Sequence, residues 1–215
     1  MKRHAVLFLL LFAASCPCRA QMIRGWGIEG GAAGAYQLLA ITGGTSSPDI
    51  PHVFRWGYSA GVFVEFLNMP NLSLVLESAY AQKGRKITAQ EVAESPNQSG
   101  ALSPGPEGGT PRLDYVHLGV LLKVRAGRDG FVPYAAIGPR IDFLAGKGED
   151  PAHVFDHYKK SDVGVTVAAG IEIVPRRQPL VSLEGRWSPS FSRVYSAPTL
   201  TIRNQSVDLL ILLWL

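Results

Sequence analysis

Cysteine is almost missing from this chain: its two residues, Cys16 and Cys18, both fall within the first twenty positions. Beyond that point neither a disulfide framework nor a thiolate metal site is available. Long apolar runs are missing too. The stretch "AVLFLLLFAA" near the start is only ten residues, half of the roughly 20 that a spanning helix needs. No later stretch reaches that length without a charge, glycine or proline, so no transmembrane helix is expected. An excess of one charge sign is also lacking. The 21 Lys and Arg against 17 Asp and Glu include Lys2, Arg3 and Arg19, and without those three the balance is 18 to 17. The pI of about 9.2 is therefore no argument for nucleic acid, and none is expected as a partner. A sustained helical period is absent as well.

What is present begins with a leader. Lys2 and Arg3, the apolar run, and small residues ending in "CRA" before Gln21 make the three-part pattern of a secretory signal peptide. The expected division is 1–20 signal peptide and 21–215 one exported domain. A competing reading lipidates Cys16 in "AASC", but Ala13 stands where a larger aliphatic residue belongs.

In the remainder the recurring period is two. In "RWGYSAGVFVEF", Trp56, Tyr58, Ala60, Val62, Val64 and Phe66 alternate with Gly57, Ser59, Gly61, Phe63 and Glu65. That is a strand with one oily face. "LSLVLESAYAQK" repeats it, with Val75 and Ser78 on the wrong sides. "YVHLGVLLKVR" sets Val116, Leu118, Val120, Leu122 and Val124 against Tyr115, His117, Gly119, Lys123 and Arg125, with Leu121 the exception. After the tight "AGRDG" turn, Phe131, Pro133, Ala135, Ile137, Pro139, Ile141 and Phe143 oppose Tyr134, Gly138, Arg140 and Asp142. "DVGVTVAAGIEI" carries Glu172 on its small-residue face, "LVSLEGRWSP" carries Glu184 and Arg186, and "SVDLLILLWL" carries Asp208 with Leu210, Leu212 and Trp214. A Gly-rich strand at 26–37, with Glu29, brings the expected number to eight.

The connections alternate between about five residues ("LNMPN", "AGRDG", "PRRQP") and much longer ones at roughly 38–54, 84–111, 144–161 and 189–198. Short turns alternating with long loops and an even strand number fit an all-β fold, an eight-stranded antiparallel up-and-down transmembrane β-barrel. Strands of about ten residues suffice to cross a membrane, and closure leaves no strand edge unpaired in lipid. A soluble, secreted barrel that binds a ligand has the same alternation with the apolar face inward. Against it stand the Gly, Ala and Ser of the polar face, which suit a narrow lumen unable to admit bulky groups. The apolar face also carries aromatics toward strand ends (Trp56, Tyr58, Phe66, Tyr80, Phe131, Phe143, Trp187), as membrane interfaces require.

With the leader before Gln21, the Gly-rich first strand, "LSLVLESAYAQKG", "YVHLGVLLKVRA", "FVPYAAIGPRIDF" and a closing strand that runs to the last residue, the chain resembles the porin-family, PorT-like outer-membrane β-barrel domain of Gram-negative bacteria. The resemblance implies a place in the cell outer membrane and an architecture. It carries no single activity and no catalytic residues. One departure stands out: such barrels usually end in an aromatic residue read by the insertion machinery, whereas here Trp214 comes one place early and Leu215 is last.

An eight-stranded barrel has an interior that side chains can fill, so a general diffusion pore is not expected. The inward set of charges is Glu29, Glu65, Glu77, Asp142, Glu172, Glu184 and Asp208 with Lys83, Lys123, Arg125, Arg140 and Arg186. The expectation is a structural network that pairs buried charge, since an unpaired charge there is costly; a gated proton or ion path is the sharper alternative. "GWGIEG" matches a dinucleotide fingerprint but lacks the preceding strand and following helix. His153 and His157 in "HVFDH" are spaced for a metal but lie in a long loop without further ligands. No cofactor is implied. Nothing assembles a Ser-His-acid set, so an enzyme is not expected, a lipid-modifying one being the alternative. What remains is a structural or interaction protein whose Pro-, Gly- and Ser-rich loop "AQEVAESPNQSGALSPGPEGGTP" is displayed outside, with adhesion, scaffold and secretion-accessory roles undivided. The expected partners are outer-membrane lipid, the insertion machinery during assembly, and an extracellular or envelope protein, with the chain itself a monomer.

Overall fold

The computed structural model describes residues 23–41, 54–67, 69, 71–84, 112–148, 159–175, 178–193, 195–196 and 200–215. The leader, Cys16, Cys18 and the loop histidines His52, His153 and His157 lie outside them, as do most of the long connections. The strands are β1 (Ile23–Ile41), β2 (Arg55–Phe66), β3 (Leu72–Gly84), β4 (Arg112–Arg125), β5 (Gly130–Gly148), β6 (Ser161–Val174), β7 (Val181–Pro189), β8 (Tyr195–Ser196) and β9 (Leu200–Trp214). Each long strand pairs antiparallel with the next, and β9 returns to β1 from Gly27↔Trp214 to Ile41↔Leu200. The result is a closed, eight-stranded antiparallel up-and-down β-barrel. The two residues of β8 pair with Ile202 and Thr201 beside the loop end of β9 and are not a ninth stave.

Why the wall has two unlike faces is clearest in β4. Its burial alternates residue by residue along "YVHLGVLLKVR". Val120 is 41% exposed and the next residue, Leu121, 2%. Side chains on a strand point to opposite faces in turn, so parity decides position even where both residues are apolar. The exposed face is the oily one, with Leu118, Val120 and Leu122 on β4, Ile137 on β5, and Leu209, Ile211 and Leu213 on β9. Such an outside suits lipid and not water. Trp26, Trp56, Tyr58, Phe131, Phe143 and Trp187 are exposed on it, while Phe66 and Tyr80, expected in the same set, are half buried. Tyr80 packs against Tyr58 at 5.6 Å between ring centroids.

Two differences from expectation concern extent and filling. β1 runs over 19 residues instead of 26–37, and β5 continues to Gly148, because pairing with β9 and β4 extends the wall past the apolar belt at the loop end. The lumen also admits bulky groups. Phe63, Leu113, Tyr115, Leu121 and Leu210 are fully buried inside. Glycines opposite make the room: a Cβ on Gly27 would sit 2.7 Å from Phe63 Cζ, and one on Gly170 2.7 Å from Tyr134 Cζ. Small residues on the polar face therefore permit large neighbours instead of excluding them. At the turn joining β4 to β5, Gly127 (φ 138) and Gly130 (φ 78) take backbone angles that residues with a Cβ rarely adopt.

Candidate functional site

The lumen is the one region where polar chemistry converges among the described residues. Eleven of the twelve expected lumen charges are buried (Glu29, Glu65, Glu77, Lys83, Lys123, Arg125, Arg140, Asp142, Glu172, Glu184 and Arg186), and Asp208 is half buried. They do not form one network. They fall into two groups separated along the barrel axis.

The group at the turn end is built where β2 and β6 finish, β4 ends, and β1 begins. Arg125 donates from Nε to Glu172 Oε2 at 2.8 Å, from Nη1 to Ser73 Oγ at 2.7 Å, and from Nη2 to Glu65. Lys123 donates to Glu172 and lies 3.8 Å from Glu65 Oε2. Arg24 completes it from the first turn of β1, donating to Glu65 at 3.0 Å and standing 3.9 Å from Glu172. Three bases thus share two carboxylates. Lys123 and Arg125 alternate with Val124 in sequence, so strand parity sends both inward while Val124 faces out. Lys123 Nζ also stands 3.8 Å from the ring centre of Tyr134 and 5.3 Å from that of Trp214, close enough for cation–π attraction.

Directly beyond this group lies an apolar ring. Phe63, Val75, Leu121, Ala136, Ala168, Leu210 and Leu212 pack as one buried cluster with Trp214 against it. Their positions follow from parity: Phe63 is the next inward residue after Glu65, Val75 after Ser73, Leu121 after Lys123, and Leu212 after Trp214. Val75 and Leu121, exceptions to the apolar-out rule in sequence, are therefore members of an internal layer. Tyr134 crosses it, donating its hydroxyl to Glu184 Oε2 at 2.6 Å.

On the loop side of the ring the second group begins. Arg186 Nη2 donates to Glu29 at 2.8 Å, and Arg186 Nε donates to Glu184. The same Nη2 lies 3.1 Å from Glu77 Oε2, an ion-pair distance but off the line of a hydrogen bond, so both Glu77 oxygens lack a hydrogen-bond donor among the described residues. Farther up, Lys83 Nζ donates to Asp142 Oδ2 at 2.7 Å, with Arg140 Nη2 3.2 Å from the same oxygen. His117 Nε2 is 3.5 Å from Glu77. Asp208 reaches Ser206 Oγ at 3.5 Å and no base within ion-pair distance among the described residues. Near the loop end Asp162 accepts hydrogen bonds from Ser190 Oγ at 2.7 Å, from Ser192 Oγ and from Asn204 Nδ2 at 3.2 Å, and Gln37 donates to Asn204 Oδ1 at 3.0 Å.

Sequence reasoning missed Arg24, Asp162 and the Tyr134 bridge. Arg24 precedes the segment expected as a strand, and Asp162 begins one, so the alternation had no flanking residues to place either. The only available signal was parity: Asp162 lies two residues before Gly164 and four before Thr166, on the small-residue face.

Among the described residues no group of three or more His, Asp or Glu could hold a metal ion, and the fingerprint glycines Gly25, Gly27 and Gly30 lie along β1 with no following helix. The family model described as outer membrane protein beta-barrel domain matches residues 20–196. No curated protein matches the chain significantly in sequence. Among solved structures it is similar to OprG of Pseudomonas aeruginosa, with TM-score 0.49, 9% identity, and coverage of 90% of this chain and 94% of that one. It is also similar to the Neisserial surface protein A, with TM-score 0.45, 12% identity, and coverage of 90% and 99%. A third is Ail, the attachment invasion locus protein of Yersinia pestis, in complex with the heparin analogue sucrose octasulfate, with TM-score 0.45, 8% identity, and coverage of 91% and 99%. At that level of likeness no property of theirs transfers to this chain.

Proposed function

The chain belongs to the outer membrane protein β-barrel domain family, and from that premise we propose that it is a small, occluded outer-membrane barrel that works as a structural or interaction protein through its loops and not through its lumen. The observation that carries this reading is the filled interior, with a five-residue ion cluster, an apolar ring and a second charged group stacked along one axis. Such an interior leaves no continuous path for a diffusing solute. The turn end then faces the periplasm and the four long connections face outward. Residues 1–20 are read as the leader that exports the chain, and the chain as a monomer of the porin-family, PorT-like kind found in Gram-negative bacteria.

In this reading the twelve lumen charges, with Arg24 and Asp162, are structural. Cross-strand pairs between residues 47 to 60 apart in sequence, such as Arg125 with Glu172 and Glu65, form only when β2, β4 and β6 hold one register. They oppose a slip of one residue, which would turn each charge into lipid. Adhesion, scaffolding and accessory roles in secretion all use the loops, whose rigid mount is the barrel. The test is planar-bilayer recording of the purified, heat-modifiable protein: no stable conducting steps are expected, and a large steady conductance would contradict an occluded lumen. Photo-cross-linkers placed at residues 85–111 in intact cells should then capture an external partner, whereas cross-linkers in the turn at Arg128 should not.

A further inference from the structure

The two charged groups are not balanced alike. On the turn side of the apolar ring three bases (Arg24, Lys123, Arg125) meet two carboxylates (Glu65, Glu172). On the loop side, among the described residues, six carboxylates (Glu29, Glu77, Asp142, Asp162, Glu184, Asp208) face four bases (Arg55, Lys83, Arg140, Arg186) and His117. The outer compartment therefore has an excess of negative charge inside a wall of low dielectric, where such an excess raises the local concentration of small cations.

A second, independent observation lies in the same compartment. Asp142 Oδ1, both Glu77 oxygens, Arg140 Nε, His117 Nε2 and Asp208 Oδ1 are buried without a hydrogen-bond partner among the described residues. Asp142 and Glu77 are 0% and 4% exposed. Buried polar atoms of this kind are satisfied by enclosed water, which needs two or more polar partners at each site. On the turn side the one such atom among the described residues is Glu65 Oε2, and it lies 3.8 Å from Lys123. The ring of Phe63, Val75, Leu121 and Leu212 between the two groups offers water no partner, and apolar constrictions in pores close by dewetting.

We propose that this ring is an insulating septum and that the compartment beyond it is hydrated and selective for small cations, making the barrel a latent cation channel closed by the septum. The proposal rests on the occluded lumen argued above. The ring can be opened without touching either ion group, because its members' apolar side chains carry no hydrogen bonds: Phe63→Ser combined with Leu212→Ser removes a member from each of β2 and β9, the strands that flank β1, and Leu121→Ser removes a third from β4.

The experiment records purified full-length barrels in planar bilayers under a potassium chloride gradient, with heat-modifiable gel mobility confirming that each variant is folded. Wild type is expected to be silent, and the folded septum variants are expected to show resolved single-channel steps whose reversal potential moves toward that of potassium. Leu121→Ser alone is the fallback should the double variant fail to fold, with smaller steps of the same selectivity expected. Silent but folded variants would overturn the septum, and a reversal potential toward chloride would overturn the charge assignment of the outer compartment. Neither of those results touches the occluded wild type. A steadily conducting wild type would instead sink the reading of an occluded lumen.

Discussion

At the turn end of the lumen Arg24, Lys123 and Arg125 lie within ion-pair distance of Glu65 and Glu172, and Arg125 alone makes four hydrogen bonds to three residues on other strands. Among the described residues at the loop end the carboxylates outnumber the bases, Asp208 has only a long contact to Ser206, and several buried atoms have no hydrogen-bond partner. Both groups arise from the same strand parity and comparable residue types. What differs is register. At the turn end β2, β4 and β6 terminate together, so their last inward residues face one another across a short gap. At the loop end the inward charges come from different depths on β1, β3, β4, β5, β6, β7 and β9, so their pairing is partial. A buried charge with several partners locks a structure, whereas one with few leaves room for solvent.

On that contrast the greatest loss comes from the crowded end. Arg125→Ala leaves Glu65 and Glu172 sharing fewer bases in a dry setting, and should cost about 3 to 5 kcal/mol, read as a lower urea midpoint for unfolding from lipid vesicles. The outer face is next: Val120→Arg should cost about 2 to 4 kcal/mol near the bilayer midplane, and a neutral result would argue that Val120 does not face lipid. Tyr134→Phe takes from Glu184 the hydroxyl that spans the apolar ring while leaving its bond to Arg186, and should cost about 1.5 to 3 kcal/mol by the same measurement. Asp208→Asn should change stability by less than about 1 kcal/mol, in keeping with a single long contact. An Asp208 effect as large as that of Arg125 would erase the distinction between the two ends.

Most of the wall was legible in the sequence because one strong rule, apolar residues at every second position, sets both the strands and their facing. The alternating short and long connections added the closure, since they leave each strand beside its predecessor. The interior was less legible. Which acid meets which base depends on the tilt and stagger of the staves, and no pattern along one strand reports that; Glu172 and Arg125 are 47 residues apart. Position within a strand was legible only where flanking residues alternate, which is why Arg24 and Asp162 escaped. Val75 and Leu121 teach the opposite lesson. Each looks like noise in its own strand, and together they belong to one buried apolar cluster inside the barrel.

Leu215 donates its backbone N–H to Trp26 O at 3.0 Å and exposes its side chain on the lipid face, while Trp214 turns inward with its ring 4.8 Å from that of Phe63. The early aromatic at the end of the chain thus belongs to the lumen, and the outward terminal position is held by leucine.

The most direct measurement is a single-cysteine scan of β4 from Val116 to Lys123, possible against a background without cysteine once residues 1–20 are removed. Each variant, labelled with a fluorophore and folded into vesicles, is quenched by brominated lipid. Strong quenching at 116, 118, 120 and 122 with protection at 117, 119, 121 and 123 is the expected result, Leu121 being the decisive position because its apolarity alone would send it to lipid. Quenching at 121 equal to that at 120 would contradict an apolar ring inside the barrel.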